Sequence, residues 1–232
     1  MKTTKRQKTV NGLVDKAKTY SLKEAIAILK KMPKLKFDET VEVSVKLSVD
    51  PKQAQSASIR GTVALPHGTG RKVRVAVFCK GEEERKAKDA GADFVGSDEL
   101  IAKVQGGWAD FDVAVATPDM MKDMARLGKI LGPRGLMPNP KSGTVTIDTA
   151  KTVKEVKAGK IEFKMDKQAG VHAPAGKLSF SEEALYTNTS MLIDAIMASD
   201  SHGMKGQHVK SLFLSTTMGP GIKLDLAEFR KA

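Results

Sequence analysis

The sequence predicts an α+β domain assembled from both ends of the chain, residues 1–67 with 160–232, and an α/β domain with a Rossmann-like parallel sheet inserted at 68–159. Three observations carry this expectation. Strands that alternate apolar and polar residues occur on both sides of the middle segment. Within that segment, short apolar strands alternate with helices, the rhythm of a parallel α/β unit. Neither outer piece is large enough to be comfortable alone, whereas together they make a domain of ordinary size. The two crossings, near 66–70 and 157–160, carry glycines and read as hinges. Three small sequential domains fit the sizes less well.

The elements follow in order. Ser21 caps a helix, with Glu24 three residues on as a capping box, and Leu22, Ala25, Ile26 and Leu29 recur at helical spacing until Pro33. Thr40–Val49 alternates, with Val41, Val43, Val45, Leu47 and Val49 on one face. Ile59–Leu65 is a second strand, and Pro66–Gly70 a break. Then come strand Val73–Phe78, helix Glu82–Ala90, strand Asp93–Val95, helix Asp98–Val104, strand Phe111–Ala116, a helix from Pro118 through Leu127, and helix Thr149–Lys157. Trp108 is expected to anchor this core. Strands Ile161–Met165 and Val171–Lys177, a helix capped by Ser181, strand Val209–Thr216, a tight turn at Met218–Gly221 and a closing strand Ile222–Leu226 complete the chain.

Charge narrows the function classes. The 232 residues carry 39 Lys+Arg against 27 Asp+Glu, a net charge of +12. Residues 1–36 hold eleven bases and two acids, so +9 of that excess sits in what reads as a basic arm and first helix. A concentrated basic end implies an electrostatic contact, with nucleic acid first and a membrane surface second. No run approaches the roughly 18 apolar residues of a membrane span, and no apolar core follows the early lysines as a secretory signal requires. The single Cys79 lies in an apolar run, cannot form an internal disulfide and suits a reducing cytoplasm.

Four stretches are candidate sites. Leu127–Asn139, LGKILGPRGLMPN, has a Gly and Pro density that excludes helix and strand. Its bases Lys129 and Arg134, with Lys141 just beyond, flank exposed backbone N–H groups, which suits a phosphate backbone; the alternative is a plain connector. At Lys36–Glu39, Phe37 beside a lysine either stacks on an unpaired nucleotide or anchors the start of the strand. Ser215–Gly221 is rich in hydroxyls and glycine, fit for reading 2′-OH groups or simply for turning. Gly68–Lys72 lacks the spacing of a phosphate loop and precedes a strand. His67, His172, His202 and His208 are scattered and the one cysteine is unpaired, so neither metal nor cofactor is expected. Ser211 and Ser215 lack a nucleophile-elbow context. A nucleotide-using α/β enzyme would need a glycine-rich turn after Val73–Phe78, where Glu82, Glu83 and Glu84 stand instead. A membrane-surface protein would need a basic amphipathic helix with aromatics, which the first helix lacks.

Taken together, KFDETVEV (Lys36–Val43), RGTVALPHGTG (Arg60–Gly70), GADFVG (Gly91–Gly96), DFDVAVATPDMM (Asp110–Met121), LGKILGPRGLMPNPKSGTV (Leu127–Val145), KAGKIEF (Lys157–Phe163), VHAPAGK (Val171–Lys177) and STTMGPGIK (Ser215–Lys223) resemble the L-one family of large-subunit ribosomal proteins, bacterial branch. The resemblance implies an outer domain that grips a stem and loops of the large-subunit rRNA, and an inserted domain joined by a hinge. It implies a mobile stalk beside the exit site for deacylated tRNA, assistance in releasing that tRNA, and repression of translation from the protein's own operon mRNA. It implies as partners those RNAs and other ribosome components in the cytoplasm, with no membrane and no stable homo-oligomer. Carried over by motif, Lys36, Phe37, Glu39, Thr217, Met218 and Gly219, with Ser211, are the rRNA-contacting set. Lys129, Arg134 and Lys141 are an accessory RNA or tRNA contact.

Overall fold

The computed structural model describes residues 4–15, 17–48, 59–199 and 209–229. The expectations for Val49, His202, His208 and residues 230–232 lie outside the described residues. Two compact units result, one formed by Met1–Gly70 with Ile161–Ala232 and the other by Arg71–Lys160.

In the first unit, helices α1 (Lys5–Leu13) and α2 (Leu22–Lys31) precede strands β1 (Thr40–Leu47) and β2 (Arg60–Ala64). In the second lie β3 (Val75–Phe78), α3 (Glu82–Asp89), β4 (Phe94–Gly96), α4 (Asp98–Gln105), β5 (Val113–Ala116), the single-turn helices α5 (Met121–Met124) and α6 (Gly128–Leu131), and α7 (Thr149–Ala158). After it come β6 (Lys160–Lys164), β7 (Gly170–Lys177), α8 (Glu182–Ser199), β8 (Val209–Thr216) and β9 (Ile222–Lys223).

The first unit centres on a four-stranded sheet in the order β7-β1-β8-β9, with β2 and β6 paired separately. β1 runs antiparallel to both β7 and β8. Its alternation works as a strand should: Val41, Val43, Val45 and Leu47 are buried while Glu42 and Lys46 are exposed. The apolar faces of α2 and α8 pack on that buried side, where Leu22, Ile26, Leu29, Leu185, Leu192 and Ile196 join one core. The capping box of α2 forms as its sequence implies, with the Glu24 N–H donating to Ser21 Oγ and the Ser21 N–H to the Glu24 carboxylate. Asn188 is fully buried in α8, yet every polar atom is used: Nδ2 donates to the Ala175 and Gly68 carbonyls at 2.9 Å, and Oδ1 accepts from the His67 N–H at 3.2 Å.

The second unit is a parallel sheet in the order β4-β3-β5. Phe78, Leu100, Val104, Phe111 and Met120 fill one side, and Val75, Val77, Val153 and Val156 the other. Trp108 packs edge-on to Phe94 at 4.7 Å and tilted against Phe111 at 5.5 Å, at the border of that core.

Four expectations need correction. The basic arm contains a helix, α1, held by buried Val10 and Val14 rather than left in solvent. The segment from Pro118 is a run of alternating 3-10 and α turns, not one helix. Buried Met120, Met124, Leu127 and Leu131 recur at helical spacing, so the run continues past Leu127 into the glycine-rich stretch. Gly128–Leu131 is therefore helical where glycine density argued against it, because burial of Leu131 outweighs the ~1 kcal/mol cost of a glycine. Finally, the last strand stops at Lys223 and Leu226–Phe229 forms a 3-10 turn, which buries Phe229 and lets Glu228 accept the Leu22 N–H at 2.9 Å.

Candidate nucleic-acid interface

Loop 36–39 leads into β1, and the turn after β8 folds back beside it. Both converge on Glu39 and Thr40. The Thr217 N–H donates to the Thr40 carbonyl at 3.0 Å, and the Thr40 N–H donates to Thr217 Oγ1 at 2.9 Å. The Gly219 N–H closes the turn on the Thr216 carbonyl at 3.0 Å. Glu39 lies beneath, only 2% exposed. Its Oε1 accepts from the Met218 N–H at 3.0 Å and from the Thr216 hydroxyl at 3.2 Å. A carboxylate accepting several donors holds its partners in one geometry.

What remains outside is a small rigid surface. Phe37 is 52% exposed and Met218 61%, among the few large apolar side chains so placed. Asp38 fixes the Phe37 loop, accepting from the Ser179 N–H and hydroxyl at 3.2 and 2.7 Å. Lys30, Lys34, Lys36 and Phe37 line an open cleft of about 510 Å³ beside it.

Of the expected site residues, the structure thus brings together Lys36, Phe37, Thr217, Met218 and Gly219. Glu39 belongs to the same place but underneath it, where it holds the turn instead of meeting solvent. The Thr217 hydroxyl is also engaged internally. Ser211 stands five residues before Thr216 on β8, about 17 Å away along an extended strand. It opposes Lys46 across the sheet.

That position reveals a surface the sequence reading passed over. The outward face of the sheet carries His172 and Ser44 in one row with Phe213, Glu42 with Ser215 in the next, and Lys46 with Ser211 in a third. His172 Nδ1 and Ser44 Oγ lie 3.0 Å apart. A half-exposed aromatic among hydroxyls and bases on an open sheet is suited to bases and sugars. The signal was present as the polar phase of the two alternating strands, TVEVSVKL and VKSLFLST.

In the second unit, Lys129 in α6, Arg134 just after it and Lys141 in the 3-10 turn Pro140–Ser142 are all exposed. Gly135 turns at φ 70°, the Leu136 N–H donates to the Leu131 carbonyl at 3.0 Å, and the Asn139 side chain accepts from the Lys141 N–H at 2.9 Å. Elsewhere in this unit, Glu82, Glu83 and Glu84 fill the first turn of α3 directly after β3, so the helix end that would take a pyrophosphate is already met by carboxylates. Among the described residues, no cluster of His, Cys, Asp and Glu is arranged to hold a metal ion, and no helix is long and apolar enough to cross a membrane.

A basic, hydroxyl-bearing surface without metal ligands or a nucleotide-binding turn among the described residues suits a binding protein for a polyanion more than an enzyme. Residues 29–220 match the model of the Ribosomal protein L1p/L10e family. The chain is also 52% identical over 224 residues to the large ribosomal subunit protein uL1 of Protochlamydia amoebophila (strain UWE25), covering 97% of this chain and 94% of that protein. The chain belongs to the ribosomal protein L1 family. It is a component of the large ribosomal subunit, working in the ribosome in the cytoplasm, and not an enzyme.

Proposed function

We propose that the unit built from both chain ends binds the large-subunit rRNA through one composite surface: the Thr217–Gly219 turn, the Lys36–Phe37 loop and the outward sheet face that includes Ser211. The parallel α/β unit is then an insertion in that RNA-binding domain, and its Lys129–Lys141 loop is an accessory contact to RNA or tRNA. The free protein acts as a translational repressor by presenting the same surface to a similar fold in its own mRNA. On the ribosome, the assembly lies at the tRNA exit site and assists the release of deacylated tRNA.

The observation that carries this reading is the turn held from below. Glu39 and Thr40 order the backbone of residues 216–219, so the exposed Met218 and the backbone around it are presented in a fixed shape. Fixed shape reads folded RNA, whereas mobile lysines read only its charge. Such a site gives a shallower salt dependence than a purely cationic one.

Binding of the full chain to large-subunit rRNA, transcribed in vitro, tests the reading against a small-subunit rRNA transcript. Thr217→Val and Gly219→Val are expected to abolish the preference while far-UV circular dichroism stays native. Near-native affinity in both variants removes the turn from the site.

A further inference from the structure

We propose that Arg6, on α1, is a positioning residue for the rRNA-binding turn, which makes the amino-terminal helix a working part of the RNA site although Arg6 itself touches no RNA. The inference rests on the reading that the Thr217–Gly219 turn meets rRNA.

Arg6 Nη1 donates to the Met218 carbonyl at 2.9 Å, and Nη2 lies 3.5 Å from Glu39 Oε2. Glu39 Oε1 accepts the Met218 N–H at 3.0 Å. The peptide groups on both sides of Met218 are therefore gripped, the N–H by the carboxylate and the C=O by the guanidinium. The two grips are tied to each other by the ion pair. The residue so held carries one of the most exposed apolar side chains of the unit.

Arg6 faces inward. Its Nε and Nη2 are closed off from solvent and make no hydrogen bond among the described residues. A guanidinium aimed at phosphate would present those donors outward in a fork. Its charge is instead set against Glu39, which is buried and needs a cation nearby.

The hold is also local to α1. Of the nine residues of that helix only Val10 is buried, joined by Val14 just past its end. No acid stands in its first turn and no base in its last. Thr4 caps it through a 3.3 Å bond from the Gln7 N–H. A helix with so little buried surface depends on each remaining contact, and its docking and the shape of the turn are one equilibrium.

The test uses the full chain with Arg6→Ala, Arg6→Lys and, as a control on the same helix, Lys8→Ala. Two quantities are read: amide hydrogen exchange at Met218 in the free protein, and affinity for the large-subunit rRNA transcript as a function of salt. Arg6→Ala is expected to speed Met218 exchange and lower affinity about tenfold. The slope of log affinity against log salt should stay as in the wild type, because no phosphate contact is lost. Arg6→Lys supplies one cationic point and no fork, and should fall between the two. Lys8→Ala should leave Met218 exchange unchanged. Wild-type exchange and affinity in Arg6→Ala overturn the proposal. So does a slope reduced by about one with Met218 exchange unchanged, which marks Arg6 as a phosphate contact. If the wild type itself fails to prefer large-subunit rRNA, the RNA reading falls, and the exchange data still decide whether Arg6 orders the turn.

Discussion

A β-carbon on Gly219 would sit 2.3 Å from the Thr216 hydroxyl oxygen, well inside van der Waals contact. That hydroxyl donates to the buried Glu39 carboxylate, so the space beside Gly219 is occupied by the bond that holds the turn. Glycine is needed here for close approach and not for an unusual backbone angle.

Gly219→Ala is accordingly expected to push Thr216 off Glu39. The lost hydrogen bond to a charged group costs about 1.5–3 kcal/mol. Thermal unfolding of the variant should shift down by several degrees. Its affinity for large-subunit rRNA should fall at least tenfold. A variant that binds within twofold of the wild type shows that the turn tolerates the displacement.

Phe37→Ala separates stacking from anchoring. The ring is 52% exposed, so its removal should cost under about 1.5 kcal/mol of stability. If a base stacks on it, rRNA affinity falls by about 1–3 kcal/mol, roughly 5- to 150-fold. Phe37→Trp should restore binding. Unchanged affinity in Phe37→Ala, measured by filter binding, would assign the ring to the protein alone.

Asp112 gives the second unit an acid-labile joint. Its carboxyl is held below the usual range, first by the bond it accepts from the Arg74 N–H, with burial opposing and the Arg74 and Arg71 guanidinium groups assisting. A lowered folded-state value means its stabilisation is full above the unfolded value of about 3.9 and drains as pH falls through the folded one. Asp112→Asn should therefore unfold at lower urea than the wild type at pH 7, and the gap should narrow by pH 3. An equal gap at both pH values would show that charge at Asp112 plays no part.

Cys79 should be inert in the folded protein. Burial pushes its thiol up to about 11, with Glu84 and Glu83 adding to the shift. At pH 8 only about one thiol in a thousand is ionised, and the sulfur is covered. A thiol reagent should label it at the rate of unfolding. Stoichiometric labelling of native protein within minutes would contradict this placement.

Local signals were legible wherever one segment carried its own information. Ser21 and Glu24 announce α2, and the alternation in Thr40–Leu47 and Val209–Thr216 announces two strands of the main sheet. The α1 sequence, KRQKTVNGL, carries no such signal, because a single buried valine marks no face. Besides the buried Val10 and Val14, α1 is held by Arg6 meeting Met218, 212 residues away, and only the folded chain supplies that contact. The burial of Glu39 was hidden for the same reason, since a glutamate next to Asp38 and Lys36 reads as surface until its donors are known. The parallel unit was visible as rhythm, yet its Gly128–Leu131 turn was not, because glycine content obscured the Met120, Met124, Leu127, Leu131 spacing.

The neighbours of β1 set a timetable for synthesis. β1 emerges early, but both strands that flank it, β7 and β8, are translated only after the whole middle unit. At about 5–20 residues per second, the roughly 170 residues between Leu47 and Thr216 take on the order of ten seconds or more. Until β7 is made, roughly 130 residues after Leu47, both edges of this half-apolar strand stand open, and the edge that takes β8 stays open longer still. The partner of the Thr40 amide, Thr217, arrives only after β8. A growing chain therefore cannot assemble the surface proposed to meet RNA until the turn after β8 has emerged.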